Sequence, residues 1–356
     1  MRLVWAEVKS VESDRAGVQR LDVVLDDGAA GDALLYTALC ESCSCGDRVL
    51  LNATAVDLSL GTGGLHFVVA KAGCGVSLDD ASAGHVMKAR YTPLQRDVLT
   101  VEEAESPHAS VMATAVSLEG MPVVCCGLHS HVLPVAAAIK QSDRALRIVY
   151  VMTDGASLPL AFSDLIPDML AAGLLDETIS AGQAFGGGLE AVTLHSALLA
   201  ARHVCGADVV IVALGPGITG TSTPFGHGGI AQGEAINAVS ALGGRAVAVL
   251  RLSFADARAR HRGVSHHSLA ALATVALGSA TIAVPTLSES QSAEIDNSLQ
   301  ESGVWDRHTR VDVPAAILPD TGELRMRSMG RSPDDDPAFF LAAAAAGTVA
   351  AGICGR

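Results

Sequence analysis

Between residues 2 and about 70, apolar positions come in short, partly alternating runs. These are Leu3-Val4-Trp5, Leu21-Asp22-Val23-Val24-Leu25 and the stretch 49–56, separated by Asp27-Gly28, Gly46-Asp47 and Gly61-Thr62-Gly63-Gly64. Short β-prone runs with Gly and Asp punctuation predict hairpins. A small β-barrel or β-sandwich is expected over 1–72. The stretch 73–84, rich in Gly, Ser and Asp, reads as a linker, so 73–107 is taken as linker and connecting strand.

The pattern changes after His85. Continuous apolar runs at 123–126, 147–152, 178–180, 209–214, 246–252 and 281–284 alternate with segments of helical character at 132–140, 163–172, 189–204, 229–242 and 268–277. Strands that are apolar throughout, each followed by a helix, predict a parallel sheet covered on both faces. Right-handed crossovers then make 108–356 a three-layer α/β domain with a doubly wound, Rossmann-like sheet. The tail adds a polar helix after Leu287, strands near 309–313 and 324–326, and a final helix. Asp334-Asp335-Asp336-Pro337 opens that helix with acidic capping residues and a first-turn proline.

Composition narrows the class. The chain has 356 residues, 49% hydrophobic but only 3% aromatic and 17% charged, with a formal net charge of −14. Small aliphatic side chains suit close helix-on-sheet packing, and so few charges suggest a surface covered in a homo-oligomer. Nucleic-acid binding needs clustered Lys and Arg, and the most basic stretch, 251–262, is short and interrupted by Asp256, so no nucleic-acid partner is expected. The run 339–353 is shorter than the ~20 residues of a membrane span and reads as a buried helix, so no membrane association is expected. No secretory leader pattern is present. The eight cysteines follow no secreted framework, and Cys40-Glu41-Ser42-Cys43-Ser44-Cys45 lacks the second pair of a zinc site. A cytoplasmic location with reduced thiols is expected.

Candidate chemistry gathers where strands should end. Gly215-Pro216-Gly217-Ile218-Thr219-Gly220-Thr221-Ser222-Thr223 follows a buried strand and precedes a helix. Gly215, Gly217 and Gly220 would allow close backbone approach, and Thr221, Ser222 and Thr223 could hold an anion. The segment matches G-x-G-x-x-G and half of a P-loop. It lacks the P-loop lysine, and it lacks the acidic residue that a dinucleotide site carries about 20 residues on. A phosphate- or carboxylate-binding loop is favoured over a standard dinucleotide site or a true P-loop, with a plain connecting turn as the alternative. Gly182-Gln183-Ala184-Phe185-Gly186-Gly187-Gly188 has the same setting and reads slightly better as a connection than as a second cradle.

His129 and His131 follow the strand at 123–126, His261, His266 and His267 follow another, and Asp154 lies past a third. In an extended segment, residues two apart face one side. His129, His131 and His266 are therefore candidate ligands of a divalent metal. The same histidines with Asp154 could instead act as general acids and bases, or simply cap helices and loop carbonyls.

The strings His85-Val86-Met87-Lys88-Ala89-Arg90-Tyr91-Thr92-Pro93-Leu94-Gln95, Gly127-Leu128-His129-Ser130-His131 and Arg260-His261-Arg262-Gly263-Val264-Ser265-His266-His267, with the glycine-rich segment, resemble an uncharacterised domain-of-unknown-function family, mostly from Gram-positive bacterial genomes. The resemblance covers most of the chain. It implies a bacterial cytoplasmic protein and brings no activity or functional residues with it. The residues themselves favour an enzyme, a hydrolase or group transferase, acting on a small anionic or polar metabolite at the C-terminal edge of the sheet. The alternative is a non-catalytic ligand-sensing or assembly module.

Overall fold

A computed structural model describes residues 1–59, 63–73, 84–314 and 317–355. Most of the expected linker, and part of the 61–64 turn, lie outside the described residues. The chain forms two compact units, Met1–Leu99 and Thr100–Arg356.

In the first unit, β1 (Leu3–Arg15), β2 (Val18–Leu25), β3 (Ala30–Tyr36), β4 (Arg48–Asn52) and β5 (Leu65–Lys71) close a barrel in the order β1-β2-β3-β5-β4. This settles the barrel against the sandwich. β3 and β5 run parallel and every other pairing is antiparallel, the arrangement of an OB-type Greek-key barrel. Period-two alternation sends Leu21, Val23 and Leu25 of β2 inward. Two register shifts let the long β1 coil around the barrel. The run at 49–56 does not stay extended: it turns after Asn52 into the short α1 (Thr54–Asp57). Outside the barrel, Asp22 repels Glu12 and holds its carboxyl above the usual range, with Asp32 adding to the effect. A hairpin, β6 (Val86–Lys88) with β7 (Arg96–Val98), completes the unit.

The second unit opens with α2 (Ala109–Met112) and is built on one parallel sheet. Its strands are β8 (Pro122–Cys125), β9 (Ile148–Thr153), β10 (Glu177–Ala181), β11 (Leu189–Ala191), β12 (Val209–Leu214), β13 (Arg245–Ala248), β16 (Ala280–Pro285) and β17 (Thr309–Val313). A small antiparallel pair, β14 (Leu252–Ser253) with β15 (Gly263–Val264), interrupts the series. The sheet order is β11-β10-β9-β12-β8-β13-β16-β17, with all pairs parallel.

The inner strands are buried on both faces, and successive residues serve different layers. Val123, Val149, Val210 and Ala246 pack with α5 (Leu194–His203), α6 (Ala231–Ala241) and α8 (Glu289–Glu301). Val124, Tyr150, Ile211 and Val247 pack with α3 (Val132–Ser142), α4 (Leu165–Ala171) and α9 (Pro337–Cys354). This is the doubly wound α/β fold.

Several local expectations change. Residues 189–191 are the edge strand β11, because Leu189 to Ala191 pair with β10 before α5 begins. Residues 324–326 form no strand, and a tight Ser328–Arg331 turn follows them. Asp336 does not cap its own helix: its carboxylate reaches back to the Ser253 hydroxyl, 2.6 Å away, and to the Phe254 amide. Helix α9 is long and apolar enough to cross a membrane by length and composition. Here its alanines, with Phe339 and Phe340, are buried against α3 and the sheet. Gly347 permits the approach, since a Cβ there would overlap the Val135 carbonyl of α3.

The topology positions the site. From β8 the chain crosses by α3 on one face, and from the neighbouring β12 it crosses by α6 on the other. The loops leaving these two strands diverge and open a crevice at the C-terminal edge. On the first turn of α6, Gln232 ties the strand ends together by donating to the carbonyls of Cys125 and Val249, each at 2.8 Å.

Candidate functional site

Beyond β13 the chain reaches Arg251, makes the β14–β15 excursion and returns alongside itself. The Ser265 amide donates to the Arg251 carbonyl and the Arg251 amide donates to the Ser268 hydroxyl, both at 2.9 Å. Ser265 also caps the short helix α7 (His266–Leu269), accepting from the His267 amide, and it bonds His261 Nδ1 at 2.8 Å. The helix runs on into a π-helical turn, Ala270–Val275. Local backbone bonding therefore sets three histidines against Arg251. The loop after β12 supplies a fourth, His227.

The four imidazoles touch. His227 and His267 stack with centroids 3.8 Å apart and planes 8° from parallel. His266 lies 4.5 Å from His267 and 5.3 Å from His227, and His261 lies 5.0 Å from His266. Glycine leaves room for the stack: a Cβ on Gly229 would stand 3.1 Å from both His227 Nδ1 and His267 Cβ.

The hydrogen bonds assign the protons. Arg251 Nη1 lies 2.9 Å from His267 Nδ1, and a guanidinium only donates. His267 Nδ1 therefore accepts, and its proton sits on Nε2. His227 Nε2 lies 3.0 Å from the Pro224 carbonyl, which only accepts, so His227 keeps its lone pair on Nδ1. His227 Nδ1, His266 Nε2 and His267 Nε2 are all buried with no partner. Burial holds all four histidines below the ordinary imidazole range, His261 to about 3, and the positive charge of Arg251 adds to the effect at each.

Arg251 is 4% exposed. Burial, foremost, and then Arg258 push its guanidinium down to about 10, so it remains charged at neutral pH. Among the described residues no carboxylate pairs with it. The nearest acid, Asp256, is engaged by Arg258 at 2.8 Å and Arg331 at 3.3 Å. Arg258 holds the Asp256 carboxyl far below the carboxylate range. The remaining donors of Arg251 meet a weak acceptor, Met329 Sδ, at 3.6 Å. Met329 sits in the Ser328–Arg331 turn with φ +49°. A buried cation thus backs a cluster of neutral imidazoles.

Beside the cluster lies an open groove of about 430 Å³. Ser222, Pro224 and Phe225 of the β12 loop form one wall. His266 and Arg260 stand at its polar part, and Leu269, Ala270, Ala273 and Thr274 line the remainder.

The residues singled out from sequence distribute unevenly. His261, His266 and His267 come together. Gly220 packs on the His267 ring and Ser222 lines the groove. Thr221 and Thr223 are occupied within the loop: their hydroxyls lie 2.8 Å apart, and Thr221 also donates to the Gly226 carbonyl. Gly215 lies against the Ser157 carbonyl, and Gly217 makes a turn at φ +86°. The loop folds on itself rather than wrapping the start of α6.

His129 and His131 are not extended. They form a 3₁₀ turn, so their rings diverge. His129 is bonded at both nitrogens, to the Tyr150 hydroxyl at 3.2 Å and the Ser163 hydroxyl at 2.8 Å, and burial lowers it to about 4. His131 is fully buried, 4.6 Å from the Phe339 ring, with neither nitrogen partnered. Asp154 is exposed and accepts from the Gln183 amide at 2.9 Å. In the 182–188 loop, Glu190, Ser180 and Thr178 take the amides of Gly186, Gly187 and Gly188. That loop connects; it does not cradle.

His129, His131 and His266 do not gather into a ligand set. Among the described residues of this unit, the group close enough to share an ion is His227, His266 and His267, with donor atoms within 4.8 Å of one another. Zinc lies in the plane of each imidazole, 2.0–2.1 Å from nitrogen. Two parallel rings stacked at 3.8 Å cannot both meet that condition. The proton on His267 Nε2 opposes it as well. The residues do not fit a three-histidine metal centre in this arrangement.

Sequence reasoning missed Arg251 and His227. An arginine directly beyond a buried strand was the available signal for the first. The second lies among Pro224, Gly226 and Gly228, between the glycine-rich segment and the helix, where no motif marks it.

A family model described as "Protein of unknown function (DUF3866)" matches residues 32–347. No curated protein and no solved structure matches the chain.

Proposed function

The chain belongs to this family of unknown function, whose description carries no activity, and from the site alone we propose that it binds a small anionic metabolite at the imidazole cluster and acts on it as a hydrolase or group transferase. The observation that carries the reading is the Arg251 guanidinium, buried without a carboxylate behind imidazoles whose inner nitrogens are unpartnered. Burying an uncompensated charge is costly. Here the positive field points to a site that an anion completes, with Arg260 at the rim of the adjoining groove.

The tautomers supply both halves of acid–base chemistry. His267 Nε2–H is a donor for a developing oxyanion or a leaving-group oxygen. In this reading the lone pair on His227 Nδ1, buried within the cluster, is the acceptor for a proton from an attacking hydroxyl or water.

Calorimetry and thermal shift on the full chain test the reading, using inorganic phosphate, pyrophosphate, acetate and citrate at constant ionic strength. At least one is expected to stabilise the wild type and to lose most of that effect in Arg251→Gln. If none of them stabilises the wild type, the reading fails. Stabilisation without turnover of any phosphate or carboxylate ester would favour the ligand-sensing alternative.

A further inference from the structure

We infer that the ligand of this site is amphipathic, an oxyanion whose apolar body lies along the groove between Phe225 and the π-helical turn. The inference rests on the anion reading above and adds the chemical class of the remainder of the molecule.

The groove is asymmetric. Arg260, His266 and Ser222 offer charge and hydrogen bonds, whereas Leu269, Ala270 and Ala273 present small apolar surfaces. Phe225 stands over it 57% exposed, in a chain with only seven phenylalanines.

Its exposure is not that of a slack loop tip. Thr221 and Thr223 bond each other, the Gly226 amide donates to Thr223 Oγ1 at 3.1 Å, and the Thr221 amide donates to the Gly226 carbonyl at 2.8 Å. Pro224 stiffens the same turn. The threonines expected to hold a ligand directly instead build the mount that presents Phe225.

The opposite wall is unusual too. π-helical turns are rare and concentrate at functional sites. This one sets Ala270 and Ala273 toward the groove without bulky side chains. A volume of about 430 Å³ falls within the range of small-molecule pockets and far exceeds what a bare oxyanion fills. A lining that combines Arg260 and His266 with Phe225 and small apolar side chains matches a carboxylate or phosphate ester with a ring or short acyl body.

The test compares matched pairs on the full chain by calorimetry: inorganic phosphate against phenyl phosphate, and acetate against phenylacetate. In the pair whose head group binds, the ring is expected to tighten binding at least tenfold. Phe225→Ala, which removes the aromatic contact, and Ala273→Leu, which fills the groove, should each reduce that gain to within twofold while the ring-free anion still binds. Phe225→Leu should keep part of it.

A bound head group with no gain from the ring overturns this inference and leaves the anion reading standing. Absence of binding by all four probes overturns this inference, and if pyrophosphate and citrate also fail to bind, the anion reading falls with it. A gain that survives Phe225→Ala and Ala273→Leu overturns the placement, and so does a change of oligomeric state in Phe225→Ala, which would make the groove a contact between copies.

Discussion

Replacing Arg251 with methionine should move stability and binding in opposite directions. Burial, foremost, pushes the guanidinium down to about 10 from its ordinary value, more than two pH units. At ~1.4 kcal/mol per pH unit, the charge costs the folded state roughly 3 kcal/mol. The sign follows from the direction of the shift: a base whose folded value is depressed pays this cost in full below the folded value, and neutral pH lies well below 10. Methionine fills much of the same space without the charge. Against the gain stands the lost bond from Nη1 to His267 Nδ1, roughly 1.5–2 kcal/mol for a charged donor. The balance is a stabilisation of about 1 kcal/mol, or a melting temperature about 2–4 °C higher for a unit of this size. Anion affinity should fall at least tenfold in the same variant. Urea denaturation at pH 7.5 with parallel phosphate titrations reads both quantities. If Arg251→Met unfolds more easily by over 1 kcal/mol and binds anions as the wild type does, the guanidinium is a structural element and the reasoning is refuted.

Acid should destabilise the protein through two histidines away from the groove. Burial lowers His129 to about 4 and His131 to about 3, so as pH falls below 6.5 the unfolded chain takes up protons first. Each histidine then costs ~2 kcal/mol by pH 5, and urea midpoints at pH 7.5 and 5 should differ accordingly, by less in His131→Leu; pH-independent midpoints count against it. Anion affinity should rise as pH falls from 8 to 5.5. An anion favours protonation of His266, which burial and then His227, Arg260, Arg251 and Arg258 keep neutral. His266→Gln should flatten that profile in calorimetric titrations, and a flat wild-type profile would contradict proton uptake on binding. Asp154→Ala removes the acceptor for the Gln183 amide and should cost about 1 kcal/mol in a denaturant melt while leaving phosphate affinity unaltered; lost affinity would return Asp154 to the site.

Legibility in the sequence tracked how local the cause was. His261, His266 and His267 were readable because one short segment carries them all and Ser265 caps the helix that displays two of them. His129 and His131 misled. Their spacing suggests a shared face only if the backbone is extended, and the start of α3 tightens it into a 3₁₀ turn. Thr221 and Thr223 were noticed for their hydroxyls, but the turn closes those hydroxyls on each other. Arg251 looked like part of a weak basic stretch. Its importance comes from what surrounds it: no pattern along the chain announces that Asp256 is spoken for by Arg258 and Arg331.

Alternation of apolar runs and helical segments was enough, by itself, to determine a parallel sheet covered on both faces and a β-rich opening unit, because burial periodicity is written residue by residue. The tertiary structure alone decided that β12 and β8 lie side by side with their loops parting, and that His227 stacks on His267 forty positions later. It alone decided that, among the described residues, no acid pairs with Arg251. Those facts depend on which distant segments share one edge and on how charges are divided among neighbours in space, and neither is encoded in local pattern.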